Sequence, residues 1–377
     1  MSDDASILAK GLGGLKRCVG NTPDAGAYAF TTLELSSDAE VKVTDLSSVT
    51  KFTELTKVSL SNQAIADVTP LASLPYLAEI VCKNNKLTRS LDALAFRLCK
   101  AAQDSMSDTG SDVDAAWASG DRSIGSVLNS VDLSFNLIPG PLGDHSLHRF
   151  LRRLNLANNV LGEVGEGLSG LLQLKYLNLS GNKLKRVEPR ELPEGLTELD
   201  VSSNDLREIA FVSSLQSLEA IVVDQNRVTS TEALSDCPEL RVVSIRNNAL
   251  AEIRCIEDLE ECENLQGLSI EGNPLSAVDF VRLRVISMLP QLTSLEGKMI
   301  VSEERVKSVI LLGNDHPRRM HTWEKHLSIP FVDTVPMFDE DEDDDRMKIE
   351  EAVRAAAQQA AGSIAQTAIG NLTPRKE

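Results

Sequence analysis

From about residue 55 to residue 275 the chain repeats one pattern of apolar and polar positions, L-x-x-L-x-L-x-x-N-x-L. It is spelled "LRRLNLANNVL" at 151–161, "LKYLNLSGNKL" at 174–184, "LTELDVSSNDL" at 196–206 and "LRVVSIRNNAL" at 240–250. Apolar residues alternate with polar ones through motif positions 4 to 6, which predicts a short strand with successive side chains on opposite faces. Positions 1, 4, 6 and 11 are therefore expected inside, and positions 2, 3, 5, 7 and 8 outside. The asparagine at position 9 sits where the chain leaves the strand. A buried amide there must be paired or it costs about 1–3 kcal/mol, so its expected role is to hold the turn.

The asparagine slot is filled by Asn85, Asn136, Asn159, Asn182, Asn204, Asn226, Asn248 and Asn273, and one coil earlier by Gln63. Successive spacings are 22, 51, 23, 23, 22, 22, 22 and 25 residues. "FTTLELSSDAE" (30–40) fits loosely, as a divergent first coil. A fixed period of this length means stacked repeats, each packed only on its neighbours. On these motifs the sequence resembles the leucine-rich repeat superfamily over roughly residues 30–300. The resemblance implies an α/β solenoid, a horseshoe with a parallel concave sheet and short helical or 3-10 convex segments, and an asparagine ladder running inside it. The 22-residue period and the second apolar contact after the asparagine ("NDLREIAFVSSL") look like the intracellular type found in protein phosphatase-1 regulatory subunits and axonemal dynein light chain. "GNPLSAVDFVRLRVISMLPQLTSLEGKMIVSEER" (272–305) resembles the C-terminal cap of that group. Asn273-Pro274, Val285-Ile286, Leu289-Pro290, Leu292 and Glu304-Arg305 match, Glu296 stands in the usual Asp position, and Leu283-Arg284 replaces an aromatic-Arg pair. A solenoid end exposes leucines, so such a cap is physically required.

The remaining segments set the expected organisation. Residues 1–29 are Gly- and Ala-rich, a loose lead-in or a short helical cap; coils occupy 30–275; the cap covers 276–312; a tail follows over 313–377. The 51-residue gap equals one repeat plus about 29 residues, centred on a Ser/Asp/Gly-rich stretch at 101–125 that is expected to be a disordered surface insertion. It is either a tolerated insertion or a segment for partner binding or phosphorylation, and Trp117 is the residue a plain linker does not need. The tail carries the acidic run "DEDEDDD" (339–345) and a helix-favouring stretch at 346–369 with Val353, Ala356, Ala360 and Ile364 on one face.

Composition narrows function. A net charge of −18 argues against nucleic acid as the main partner. None of the six cysteines forms a C-x-x-C pair, and Cys82 occupies an inward slot. No stretch approaches the length of a membrane span, and no secretory leader is legible. These features point to a cytoplasmic protein with reduced thiols, the flagellum or axoneme and the nucleus being alternatives.

Chemistry is sparse. His316, His321 and His326 recur every five residues, which does not align them on a helix, and His145 and His148 are expected at the surface. "KGLGGLKR" (10–17) lacks phosphate-loop spacing. Neither a catalytic set nor a metal, cofactor or small-molecule site is expected. The outward positions of the central strands are the better candidates: Asp132, Arg152, Arg153, Asn155, Tyr176, Asn178, Glu198 and Asp200, with Asp224 and Arg246 further along. Arg and Tyr are enriched at interface hot spots. The expected function is a scaffold or adaptor binding a protein partner on that face, possible roles being phosphatase regulation, a structural place in an axoneme, or a ribonucleoprotein subunit.

Overall fold

The computed structural model describes residues 3–17, 28–35, 42–91, 126–312 and 320–321. The insertion at 101–125, Trp117, the acidic run 339–345, the stretch 346–369, Cys18, Cys99, His316 and His326 lie outside the described residues. The chain divides into two compact units, Met1–Ala277 and Val278–Glu377.

The first unit is a leucine-rich repeat solenoid. Its strands follow one another in chain order across a single sheet: β1 (Leu12–Arg17), β2 (Tyr28–Leu35), β3 (Lys57–Leu60), β4 (Glu79–Val81), β5 (Ser130–Asp132), β6 (Arg153–Asn155), β7 (Tyr176–Asn178), β8 (Glu198–Asp200), β9 (Ala220–Val222), β10 (Val242–Ser244) and β11 (Gly267–Ser269). From β2 onward every pairing is parallel and without slippage, so motif positions stack in columns. The inward column runs Val131, Leu154, Leu177, Leu199, Ile221, Val243 and is buried throughout. The β4–β5 pairing keeps this register although 51 residues separate their ladder asparagines.

The far side is built from 3-10 turns, among them Thr69–Ser73, Glu166–Leu168, Ala210–Ser214 and Ile253–Glu261. Each drops one or two apolar residues into the core, such as Leu71, Leu168 or Phe211 with Val212. With 22 residues per coil, little chain is left for longer convex helices once strand and turns are formed.

Two features differ from the expectations. The lead-in contains more than a helix: α1 (Asp3–Lys10) is followed by β1, which pairs antiparallel with β2. The first parallel strand would otherwise present bare N–H and C=O groups, and β1 covers that edge. The Asp4 carboxylate accepts from the backbone of Thr44 and Asp45, fixing α1 to the first coil.

Second, His145 and His148 are buried, not at the surface. His145 Nε2 lies 3.0 Å from Ser90 Oγ, and its Nδ1 contacts the Gly143 carbonyl. His148 Nδ1 lies 2.8 Å from Ser126 Oγ, and its Nε2 is 3.2 Å from the Leu91 carbonyl. These polar rings are tolerated inside because their nitrogens meet partners.

In the second unit, α2 (Val281–Met288), the hairpin β12 (Ser294–Leu295) and β13 (Lys298–Met299), and α3 (Ser302–Leu312) bury Val285, Ile286, Leu289, Leu292 and Leu295. The arginine that organises them is Arg282, not Arg284. Its guanidinium grips Glu304 at 2.7 and 3.0 Å and donates to the Leu295 carbonyl at 3.0 Å. Arg284 makes one exposed contact, to Asp279. Arg305 donates to the carbonyls of Pro290 and Leu292.

Candidate partner-binding face

The strands present two outward columns. One runs Lys57, Glu79, Ser130, Arg153, Tyr176, Glu198, Ala220, Val242; the other runs Ser59, Val81, Asp132, Asn155, Asn178, Asp200, Val222, Ser244. Adjacent strands lie about 4.8 Å apart. Arg153, Tyr176 and Glu198 are therefore successive neighbours in one column, and Asp132, Asn155, Asn178 and Asp200 in the other.

The second column is tied into two pairs, and the Asn178 amide also donates to the Tyr176 hydroxyl at 3.3 Å. Asn155 Nδ2 donates to Asp132 Oδ2 at 3.0 Å, and Asn178 Nδ2 donates to Asp200 Oδ2 at 3.2 Å. The second Asp oxygens and the Asn amide oxygens accept from the backbone two residues on: Asp132 Oδ1 from Ser134, Asn155 Oδ1 from Ala157, Asn178 Oδ1 from Ser180 and Asp200 Oδ1 from Ser202. This floor is consequently stiff. The first column is freer. The Arg153 guanidinium carbon sits 4.3 Å from the centre of the Tyr176 ring, a cation–π contact that leaves its N–H groups available. Arg152, immediately before β6, is exposed.

Asp224 and Arg246 face a different task. Asp224 Oδ1 accepts from Ser244 Oγ at 2.7 Å and from the Arg246 backbone at 2.8 Å, and Arg246 Nη2 donates to Ser269 Oγ at 3.1 Å. Both bind neighbouring coils and are half-buried. Position 7 is not uniformly outward either, since Ser134 and Ala157 are buried.

The position-9 asparagines Asn85, Asn136, Asn159, Asn182, Asn204, Asn226, Asn248 and Asn273 are all buried. Each Oδ1 accepts a backbone N–H of the preceding coil at 3.0–3.1 Å. Each Nδ2 donates to a carbonyl of that coil at 2.7–3.1 Å. Gln63 does the same with Val43 through its Oε1 at 2.9 Å. The residue just before the slot takes a left-handed backbone in coil after coil: Asn62, Asn84, Phe135, Asn158, Gly181, Ser203, Gln225, Asn247 and Gly272 all have φ between 51° and 78°. The spelling of positions 8 and 9, "NN", "GN" or "SN", carried this signal.

Reactive groups are muted. Burial pushes the thiols of Cys82 and Cys237 up to about 12 and that of Cys262 up to about 11. Cys82, Cys237, Cys255 and Cys262 are free thiols. Among the described residues, no cluster of three or more His, Cys, Asp or Glu could hold a metal ion, and no helix is long and apolar enough to cross a membrane.

Comparison with known proteins finds the same repeat. A family model described as "Leucine-rich repeat" matches residues 175–315, in keeping with the solenoid of the first unit. The chain is 21% identical to a probable U2 small nuclear ribonucleoprotein A' of Caenorhabditis elegans, over 49% of this chain and 78% of that protein. It is 28% identical to tubulin-specific chaperone E of Mus musculus, over 47% of this chain but only 37% of that protein. Among solved structures, an internalin from Listeria monocytogenes superposes with a TM-score of 0.54 at 19% identity, covering 82% of this chain and 85% of the other. That likeness concerns the fold.

Proposed function

We propose that the chain is a non-catalytic protein-interaction scaffold whose partner lies along the outward face of the sheet, centred on β6 to β8. The observation that carries this reading is the contrast between the two columns. Asp132, Asn155, Asn178 and Asp200 form a hydrogen-bonded floor, while Arg153 and Tyr176 stand on it, preorganised by their mutual stacking and open to solvent on one side. Preorganised Arg and Tyr side chains lose little freedom on binding. The 22-residue spacing supports placing the chain in the intracellular type shared by phosphatase-1 regulatory subunits and axonemal dynein light chain, with the cytoplasm or nucleus as its compartment.

Affinity purification with mass spectrometry tests the face. Arg153→Glu with Tyr176→Ala is expected to leave the fold intact and to remove partners captured by the wild type. Undiminished capture of every partner would overturn the reading. A second reading, a ribonucleoprotein subunit, rests on the sequence likeness to U2 small nuclear ribonucleoprotein A'. It requires RNA in the purified complex, released together with the bound proteins by ribonuclease.

A further inference from the structure

Several charges on the described sheet face neutralise each other. Lys57 lies 3.6 Å from Glu34 and 3.5 Å from Glu79. Lys83 lies 3.1 Å from Asp132, and Arg241 lies 3.6 Å from Glu219. The centre of the face carries charges of both signs that are not paired in this way. Arg152 and Arg153 have no carboxylate partner among the described residues, and Glu198 and Asp200 have no cationic one. Arg153 and Glu198 flank Tyr176 in the same column, one strand to either side. Two strand spacings put their backbones about 10 Å apart. The stacking of Arg153 over Tyr176 draws the cation toward the middle of this row.

Cations and anions that lie in neighbouring columns of one face without pairing to each other suit a ligand carrying the complementary dipole. We propose that the partner segment is a dipolar peptide: a carboxylate that meets Arg152 and Arg153, and within about 10 Å along it a Lys or Arg that meets Glu198 and Asp200, with the Arg153–Tyr176 stack beneath it. Three extended residues, or about two turns of helix, cover that distance. A nucleic acid fits less well, because phosphates spaced along the row run from the arginines directly onto Glu198 and Asp200. The net charge of −18 adds to that repulsion. This proposal rests on the face being the binding surface, and it adds which chemistry the face selects.

The test uses the full chain and four fluorescent probes, read by anisotropy at low and physiological salt. Three are peptides of about 15 residues: one with an acidic triplet and a lysine triplet separated by two neutral residues, one with acidic triplets only, one with lysine triplets only. The fourth is a single-stranded oligonucleotide of about 15 nucleotides. The dipolar peptide is expected to bind about tenfold or more tightly than either single-charge peptide. Arg153→Glu alone and Glu198→Arg alone each abolish that preference. Both side chains are exposed or stacked at the surface, and Arg153→Lys retains binding, which controls for folding. Acid-only binding equal to dipolar binding, tighter binding of the oligonucleotide, or a preference for the dipolar peptide that survives Arg153→Glu or Glu198→Arg would each overturn the proposal. If no peptide binds at about 1 mM while the Arg153→Glu, Tyr176→Ala variant still loses its partners, the charge pattern is wrong and the face is right.

Discussion

At the scale of single residues, the ladder asparagine and the residue before it divide the work of turning the chain. Asn159 Nδ2 satisfies the Leu133 carbonyl at 3.1 Å and its own coil's Leu156 carbonyl at 3.0 Å, while its Oδ1 takes the Ile138 N–H at 3.1 Å. Asn159→Ala strands the buried Ile138 N–H and halves the donors to the Leu133 and Leu156 carbonyls, which keep Asn136 and Asn182 respectively. A loss of about 2–4 kcal/mol is expected on thermal or denaturant unfolding, with partner capture by the refolded protein unchanged. An unaltered midpoint would mean that the neighbouring backbone finds other partners. Phe135 is the opposite case. It holds φ 59° where other coils use Asn, Ser, Gln or Gly, and it is 56% exposed. A left-handed backbone costs a bulky side chain about 1 kcal/mol, whereas asparagine adopts it more readily. Phe135→Asn is therefore expected to raise stability by about 0.5–1 kcal/mol. A fall in the unfolding midpoint would show instead that the exposed ring contributes more by its contacts than its backbone costs.

At the scale of elements, the strands were legible because one face is apolar and the period is two, so a one-residue slip would expose the whole column. The columns of Arg153, Tyr176 and Glu198, and of Asn155, Asn178 and Asp200, follow from that register alone. What the pattern could not show is what side chains do once outside. Asp224 and Arg153 both occupy outward slots, yet Asp224 turns to the next coil while Arg153 stacks on Tyr176. The N-terminal hairpin was illegible for a different reason: β1 ("LGGLKR") is rich in glycine and has no alternation, and its pairing is imposed by the open edge of β2. The histidines were misplaced because a connection rich in Gly, Pro and Asp looks solvent-exposed unless its long-range partners are known. In the second unit the resemblance put Leu283-Arg284 in place of an aromatic-Arg pair, whereas the arginine that holds the elements together is Arg282. The bidentate hold on Glu304 draws that carboxylate below its usual range and ties α2 to α3. Arg282→Ala is expected to cost about 1–3 kcal/mol, Arg282→Lys to recover only part of it because a lysine cannot grip both oxygens, and Arg284→Ala to stay within about 0.5 kcal/mol. Equal losses at 282 and 284, measured as unfolding midpoints, would reverse the assignment.

At the scale of the whole molecule, a solenoid is only as continuous as its weakest coil-to-coil contact, because each coil packs on its neighbours alone. The junction between the coils of β4 and β5 is where 51 rather than 22 residues separate ladder positions. The two buried imidazoles sit at that junction. His145 reaches Ser90, and His148 reaches Leu91 and Ser126, so residues on both sides of the inserted stretch are fixed to one coil. Burial, and after it the neighbouring His145, pushes the His148 pKa down from 6.5 to about 4, the Leu91 carbonyl and Asp144 opposing this in part. The fold therefore holds the neutral ring, while the unfolded chain takes up a proton near pH 6.5. The contribution is fully present above that pH and is lost as pH falls toward 4, by about 3 kcal/mol at most. Denaturant midpoints taken at intervals from pH 7.5 to 4 should fall more steeply for the wild type than for His148→Gln, which cannot titrate and shares all other carboxylates. Hydrogen exchange in that window should open first at the amides joining these coils, such as Cys82 to Asp132 and Asn129 to Ala78. Parallel pH curves for the two proteins, or first opening at a coil remote from the junction, would locate the acid-sensitive contact elsewhere and leave the histidines as filling rather than as the clasp of an interrupted array.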